Sequence, residues 1–210
     1  MIKSILFDFD GVIVDTERKK YDDFCTIIKL NSLDVKEISF KDFIGRKRGS
    51  VLASIGCTPE QINNIMPKIR EQDMGNLAEN KLIMGITGLL KFLHKKYFVG
   101  IVTGSNKEFV REILIHHNLE EYIDFFICGD DVKKSKPDPE CYFKAFKDNN
   151  LRESEVLIIE DSHTGILAAK ATGANVIGLL TYFSDKELIS ADYHFKDHNE
   201  ILDFIKSSLD

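Results

Sequence analysis

The sequence predicts an α/β protein in which a parallel β-sheet is interrupted by a small helical insertion. From Ile83 onward, short apolar runs alternate with helical patterns, which is typical of parallel βαβ units. A strand-like run at Ser4–Phe9 is separated from those units by a stretch rich in charge and helical spacing. The predicted core is therefore discontinuous, comprising residues 1–15 and 81–210, and residues 16–80 are expected to form an α-helical cap domain.

The first predicted strand ends in two acids. Ser4–Phe9 has the β-branched and aromatic content of a buried strand, and Asp8 and Asp10 lie where it ends, just before Gly11. Side chains two residues apart in an extended chain leave the same face, and buried carboxylates must be paired, hydrogen-bonded or bound to metal. Either the two acids attack and transfer a proton around a hard cation, or they are ordinary turn acids that close a strand.

The charged stretch that follows predicts three helices. The first has apolar residues at three- and four-residue intervals, beginning with Tyr21 and Phe24. The second ends at Gly56. The third begins near Thr58 and Pro59, because threonine suits a helix cap and proline suits the first turn.

Beyond this stretch, helices and strands alternate along the chain. The patterns predict helices at Thr87–Tyr97, Lys107–His116, Pro139–Asn149 and His163–Thr172, and strands at Phe98–Val102, Phe125–Cys128, Val156–Ile159 and Asn175–Leu179.

Polar residues gather where these later strands end. The strands are followed by Thr103–Asn106, by a loop containing Lys136, and by Glu160–Ser162. Ligands of an open parallel sheet bind outside the carboxyl ends of its strands, so these segments are expected to converge on Asp8 and Asp10. Taken singly, each segment also fits a structural role, as a helix cap or as a solvated loop lysine.

Composition and charge restrict the class of protein. The formal charge of −6 argues against a general nucleic-acid-binding surface, and the acids at the end of the first apolar run leave it too short to span a membrane. The four cysteines lack metal-ligand spacing, which is typical of reduced thiols in a cytoplasmic protein. No feature of the sequence demands a protein partner, so a monomer is expected.

The ordered motifs resemble those of the haloacid dehalogenase superfamily. The residues that carry the resemblance are Asp8-Phe9-Asp10-Gly11-Val12, Thr103-Gly104-Ser105, Lys136-Pro137-Asp138 and Glu160-Asp161-Ser162, with Gly165-Ile166 and Ala168-Ala169. A helical insertion directly after the first motif resembles the small α-helical cap of the superfamily's β-phosphoglucomutase-like phosphatase branch. The resemblance implies a Rossmann-like core and an Mg²⁺-dependent phosphatase that acts on a sugar or polyol phosphate.

The resemblance also implies catalytic roles for particular residues. Asp8 would be the nucleophile that forms an aspartyl-phosphate, and Asp10 would be the acid/base that protonates the leaving oxygen. Thr103 and the backbone of Gly104 would hold the phosphoryl oxygens, while Lys136 would neutralise charge on the phosphoryl group and on Asp8. Phosphoryl transfer is mostly positioning and charge stabilisation, and these groups supply both.

Metal and substrate positions follow from the same resemblance. Mg²⁺ would be held by Asp8, the backbone carbonyl of Asp10 and Asp161, with Glu160 beside it. The Lys136-Pro137 bond is a candidate cis peptide. The residues expected to contact the small phosphorylated substrate, besides those already named, are Ser105, Asn106 and Arg48.

Three functions remain open at this point, because the family contains more than one activity. An acid at Asp10 favours cleavage of phosphate esters over dehalogenation. Arg48 lies where phosphomutases of this branch grip a distal phosphate, but Lys20 replaces their usual histidine, so hydrolysis is preferred over mutase activity. A non-catalytic binding protein of the same fold would be expected to lose at least one of four motif residues. This chain keeps all four, which are Asp8, Asp10, Lys136 and Asp161.

Overall fold

The computed structural model describes residues 1–33, 36–75 and 79–208, and its centre is a six-stranded parallel sheet with the order β5-β4-β1-β6-β7-β8. The predicted α/β class is confirmed. In chain order the strands are β1 (Ser4–Phe7), β2 (Val14–Asp15), β3 (Lys81–Leu82), β4 (Phe98–Val102), β5 (Phe125–Ile127), β6 (Val156–Glu160), β7 (Asn175–Leu179) and β8 (Tyr193–Phe195).

Helices cover both faces of the sheet and fill the long connection after β2. They are α1 (Glu17–Leu30), α2 (Phe40–Phe43), α3 (Arg48–Ser54), α4 (Pro59–Gly75), α5 (Ile86–Leu93), α6 (Lys107–His116), α7 (Glu140–Asp148), α8 (His163–Lys170) and α9 (His198–Ser208).

The β1 strand is buried on both faces, as its continuous apolar run predicts. Ile5 and Phe7 pack in a cluster with α5, α6 and α9, whereas Leu6 packs with α7 and α8 on the opposite face. Alternate side chains of a strand point to opposite faces, so one short segment joins both halves of the core.

Helices α1 to α4, here called the helical insertion, have a hydrophobic cluster of their own. Phe24 and Ile28 of α1 pack there against Phe43, Leu52 and Ile65. The spacing of Phe24 and Ile28 places both side chains on one face of α1, which explains why that face is buried. The division of the chain into two domains, at residues 15 and 80, stays a prediction, and residues 34–35 and 76–78 of the predicted cap lie outside the described residues.

The two ends of the helical insertion meet beside the sheet. The short strands β2 and β3 pair in antiparallel fashion, with Val14 opposite Leu82 and Asp15 opposite Lys81. The chain therefore leaves and re-enters the core at adjacent positions, which keeps the insertion close to the end of β1.

Several parts of the fold differ from expectation, and among them the short elements β2, β3 and α2 were not predicted. Helix α5 ends at Leu93, four residues before the predicted end at Tyr97, because His94 leaves the helical conformation and Lys95 has a positive φ of 67°. Strand β8 and helix α9 were not predicted, although Ile201 and Ile205 of α9 are four residues apart and both are buried in the core. No helix in the described part of the chain is long and apolar enough to cross a membrane.

Candidate active site

The loops that follow β1, β4, β5 and β6 surround one cavity of about 900 Å³ at the carboxyl edge of the sheet. Asp8 lies at its floor: its backbone amide continues the sheet ladder by donating to the Ile159 carbonyl at 2.9 Å, and its side chain is buried. All the predicted site residues except Glu160 border this cavity; they are Asp8, Asp10, Arg48, Thr103, Gly104, Ser105, Asn106, Lys136 and Asp161. Glu160 is fully buried directly behind them.

Lys136 connects Asp8 with Glu160. Its ammonium donates to Asp8 Oδ1 at 2.6 Å, to Glu160 Oε1 at 2.5 Å and to the Val102 carbonyl at 2.9 Å. Burial by itself would lower the pKa of Lys136, but the carboxylates of Asp8 and Glu160 raise it well above its usual value. Lys136 therefore carries its charge beside Asp8, and the Lys136–Pro137 peptide bond is cis, as predicted.

A cluster of three buried carboxylates fits a divalent cation. Oxygens of Asp8, Glu160 and Asp161 lie within 4.8 Å of one another, and Asp161 Oδ2 and Glu160 Oε2 have no hydrogen-bond partner in the described part of the chain. Burial raises the pKa of Asp8 to about 8, with Lys136 opposing this effect and Glu160 adding to it. A hard cation between these oxygens would offset the repulsion among them, and carboxylate oxygens are its preferred ligands.

Two glycines let the backbone approach these carboxylates closely. Gly11 has a φ of 79°, and a Cβ at this position would lie 2.0 Å from Asp161 Oδ2. A Cβ at Gly165 would lie 2.0 Å from Glu160 Oε2. Any larger residue at either position would displace a carboxylate of the acidic cluster.

Asp10 is held by three donors, two of which come from the start of the helical insertion. Thr16 and Lys20 donate to Asp10 Oδ1, and the Ser105 hydroxyl donates to Oδ2. Burial alone would raise the pKa of Asp10, but the Lys20 ammonium and these hydrogen bonds lower it. The insertion therefore contacts a residue of the predicted catalytic pair directly.

The loop after β4 combines structural roles with a position beside the cavity. The Thr103 side chain is 2% exposed, and its Oγ1 accepts a hydrogen bond from the Ser105 amide at 3.0 Å. Asn106 caps α6, because its side-chain oxygen accepts from the Phe109 amide at 2.8 Å. The cap of α6 is therefore Asn106 and not Thr103 or Ser105, to which the structural alternative assigned it, whereas Ser162 caps α8 as that alternative predicts.

Arg48 borders the cavity, but its guanidinium is already engaged. Its Nη2 lies 3.3 Å from Glu17 Oε1, its Nη1 donates to the Arg46 carbonyl at 3.1 Å, and its guanidinium carbon lies 3.8 Å from the centre of the Phe43 ring. Glu17 was not singled out from the sequence, because an acid in the first turn of a helix is ordinary.

Tyr142 was also missed. Its hydroxyl donates to Glu160 Oε1 at 2.6 Å from a fully buried position on α7. An apolar periodicity assigns an aromatic residue of α7 to the core, and nothing in the pattern reveals that its hydroxyl reaches an acid from another strand.

Comparisons with known proteins show the family to which the chain belongs. A family described as haloacid dehalogenase-like hydrolase matches residues 5–179. The chain is 26% identical over 207 residues to validoxylamine A 7'-phosphate phosphatase from Streptomyces hygroscopicus subsp. limoneus, with 96% of each chain covered. It is 30% identical over 189 residues to (DL)-glycerol-3-phosphatase 2 from Arabidopsis thaliana, covering 84% of this chain and 78% of the relative.

Solved structures agree on the fold. A β-phosphoglucomutase from Clostridium difficile has a TM-score of 0.84 at 21% identity, covering 99% of this chain and 96% of that one. A hydrolase from Pseudomonas syringae has a TM-score of 0.86 at 23% identity, covering 98% and 99%. Since the family match spans most of the sequence and the site motifs lie together at the edge of the sheet, the chain belongs to the haloacid dehalogenase-like hydrolases.

Proposed function

We propose that this protein is a phosphatase that hydrolyses a small phosphorylated metabolite, a sugar or polyol phosphate, through an aspartyl-phosphate formed on Asp8. The observation that carries the proposal is the surroundings of Asp8: one buried lysine and two further buried carboxylates converge on it at the floor of an open cavity. Relatives named as phosphatases support hydrolysis of a phosphate ester. A cytoplasmic location and a monomeric state remain predictions from the sequence.

In this mechanism an oxygen of Asp8 attacks phosphorus and the ester oxygen leaves. Lys136 offsets the negative charge that Asp8 and the phosphoryl group bring together. The oxygens of Asp8, Asp161 and Glu160, with the backbone carbonyl of Asp10, would hold Mg²⁺, whose charge would stabilise the transferring phosphoryl group.

Asp10 would transfer the proton in both halves of the reaction. It would first protonate the leaving oxygen and then take a proton from the water that attacks the aspartyl-phosphate. Its contacts with Thr16, Lys20 and Ser105 keep its carboxylate at the edge of the cavity and favour its charged form, which supports the second step, in which it accepts a proton.

The loop after β4 would bind the phosphoryl oxygens. Thr103 and the backbone of Gly104 border the cavity beside Asp8, and Ser105 and Asn106 follow them around the same edge. Hydroxyl and amide donors fixed by a buried strand end need little reorganisation when the phosphoryl group arrives.

The test is phosphate release from a panel of hexose, pentose and polyol phosphates, with Mg²⁺ present or removed by a chelator. Mg²⁺-dependent turnover of at least one small monoester is expected. Saturable binding of these compounds without turnover of any of them would instead indicate a non-catalytic binding protein.

A phosphomutase is the alternative, because it would use the same phospho-enzyme and pass the phosphoryl group to a second sugar hydroxyl. Arg48 beside the cavity favours this alternative, whereas the replacement of the usual histidine of these mutases by Lys20 is the reason that hydrolysis is preferred. Supplying β-glucose 1-phosphate with a trace of the 1,6-bisphosphate separates the two. Free phosphate without net isomerisation is expected, and rapid stoichiometric conversion to glucose 6-phosphate would show a mutase.

A further inference from the structure

The carboxylate of Glu17 is the buried polar group near the cavity that the proposed chemistry does not use. Glu17 is 5% exposed, it borders the cavity, and its Oε2 has no hydrogen-bond partner among the described residues. A buried carboxylate oxygen without a donor is strongly unfavourable, so a donor from a bound molecule would stabilise it.

The second oxygen of Glu17 offsets the charge of Arg48. The Arg48 guanidinium lies 3.3 Å from Glu17 Oε1 and stacks on Phe43, and both side chains of the pair are almost fully buried. The charges of Glu17 and Arg48 therefore largely cancel each other where the pair borders the cavity. A second phosphate or a carboxylate on the substrate would meet the repulsion of Glu17 as well as the attraction of Arg48.

The other cations of the insertion at the cavity are either paired with a carboxylate or open to solvent. Lys20 is paired with Asp10. Arg46 donates to the backbone carbonyls of Asp42 and Ser50 and keeps its charge, but it is partly exposed. Lys47 and Arg70 border the cavity but are exposed, so solvent and salt screen their charges.

We infer that Glu17, paired with Arg48, selects for hydroxyl groups on the leaving part of the substrate and against a second anionic group. This inference rests on the proposed function and narrows it: the carboxylate of Glu17 accepts from a substrate hydroxyl and Arg48 donates to another. The preferred substrates are therefore monophosphates of neutral polyhydroxylated compounds. Bisphosphates and phosphorylated carboxylic acids are rejected.

The experiment compares three substrates in wild-type protein and in Glu17→Gln. Sorbitol 6-phosphate carries hydroxyls, phosphoglycolate carries a second anionic group, and acetyl phosphate carries neither. Wild type is expected to prefer sorbitol 6-phosphate over phosphoglycolate. In Glu17→Gln the KM for sorbitol 6-phosphate should rise about tenfold, which is the loss expected for one charge-assisted hydrogen bond.

In the same variant the kcat/KM for phosphoglycolate should rise, because Arg48 loses its anionic partner. Turnover of acetyl phosphate should stay within about twofold of wild type, since that substrate has no hydroxyl that could donate to Glu17. The matched control is Glu108→Gln, at an exposed glutamate that borders the same cavity. This variant should turn over all three substrates as wild type does. Circular dichroism would confirm that both variants are folded.

Two outcomes would overturn the inference. One is a wild-type preference for phosphoglycolate; the other is an equal loss on all three substrates in Glu17→Gln, which would mean a structural role. If wild type turns over no phosphate ester, the proposed function fails, and calorimetric binding of sorbitol 6-phosphate and phosphoglycolate to the same proteins still decides the inference. Selective binding of sorbitol 6-phosphate that weakens in Glu17→Gln would support it, and absence of selectivity would refute it.

Discussion

The carboxyl edge of the sheet and the helical insertion contribute to the cavity in different ways. At the sheet edge, Asp8, Lys136 and Glu160 form a continuous hydrogen-bonded group behind which the core is closely packed. The insertion reaches the cavity mainly through long side chains such as Lys20, which is paired with Asp10, and Arg48, which is paired with Glu17. From this difference we expect bond breaking to depend on the sheet edge and substrate choice to depend on the insertion.

The two regions also touch at the rim of the cavity. Lys41 of α2 forms an ion pair with Glu187 at 2.6 Å, and the Thr164 hydroxyl donates to the Gly45 carbonyl at 3.0 Å. These rim contacts are exposed, so each contributes little to stability. At this rim the helical insertion is therefore held by weak contacts, whereas the sheet edge is fixed by burial.

Asp8→Asn is expected to have the largest effect, because an amide cannot attack phosphorus. Turnover should fall below detection while the fold is retained, since the amide has almost the same shape as the carboxylate. Phosphate release and circular dichroism on the purified variant check this. Asp130→Asn, at an exposed aspartate on the same cavity, is the control; appreciable residual activity in Asp8→Asn would rule out the nucleophile assignment.

Asp161→Ala should weaken Mg²⁺ binding and activity together, because it removes an anionic oxygen from the acidic cluster. The thermal midpoint offers a readout independent of activity: a chelator should lower Tm in wild type and change it less in Asp161→Ala. Asp203→Ala, at an exposed position of α9, should behave as wild type. The metal assignment is wrong if Asp161→Ala keeps the wild-type dependence of activity on Mg²⁺.

Lys20→Met tests whether the helical insertion contributes to catalysis through Asp10. Loss of the ammonium should leave Asp10 less well placed for proton transfer. We expect kcat to fall by roughly tenfold, which is less than the full rate enhancement that acid–base catalysis supplies. The loss should be large for an alkyl phosphate, whose leaving oxygen needs a proton, and small for an aryl phosphate, which does not. Lys19→Met is the control, because the neighbouring Lys19 pairs with Asp23 instead. Equal losses on both esters would indicate that Lys20 acts only through the fold.

A smaller effect, on stability, is expected at His198, which lies in the core beside Val12. It is fully buried, its Nε2 donates to the Val12 carbonyl at 2.7 Å, and burial lowers its pKa to about 4 from an ordinary 6.5. The unfolded chain binds more protons than the folded one between these values, so stability falls as pH falls from about 7 to 4. The contribution of this residue is at most about 3 kcal/mol.

The measurement for His198 is urea unfolding at several pH values in wild type, His198→Gln and His163→Gln. The slope of stability against pH should be shallower in His198→Gln alone, because glutamine does not titrate. The exposed His163 is the matched control. Parallel curves for all three proteins would contradict a buried neutral histidine.

The sheet edge was largely predictable from the sequence, as were the main helices of the insertion, but the side-chain pairings of the insertion were not. Apolar runs that end in Asp8, Thr103 or Glu160 place those residues at strand ends, and parallel strands bring their ends to one edge. The pairing of Glu17 with Arg48 joins two helices 31 residues apart through side-chain packing, for which periodicity contains no signal. The same holds for Tyr142, whose hydroxyl reaches Glu160 from another element.

The central claim is that a phosphoryl group passes through Asp8 on its way to water, and the stereochemical course at phosphorus tests it most directly. A substrate with an isotopically chiral phosphoryl group would be hydrolysed in isotopically labelled water, and the configuration of the released phosphate determined. Two successive in-line displacements, on Asp8 and then by water, predict retention of configuration. Inversion would mean that water attacks the substrate directly and would contradict an aspartyl-phosphate intermediate.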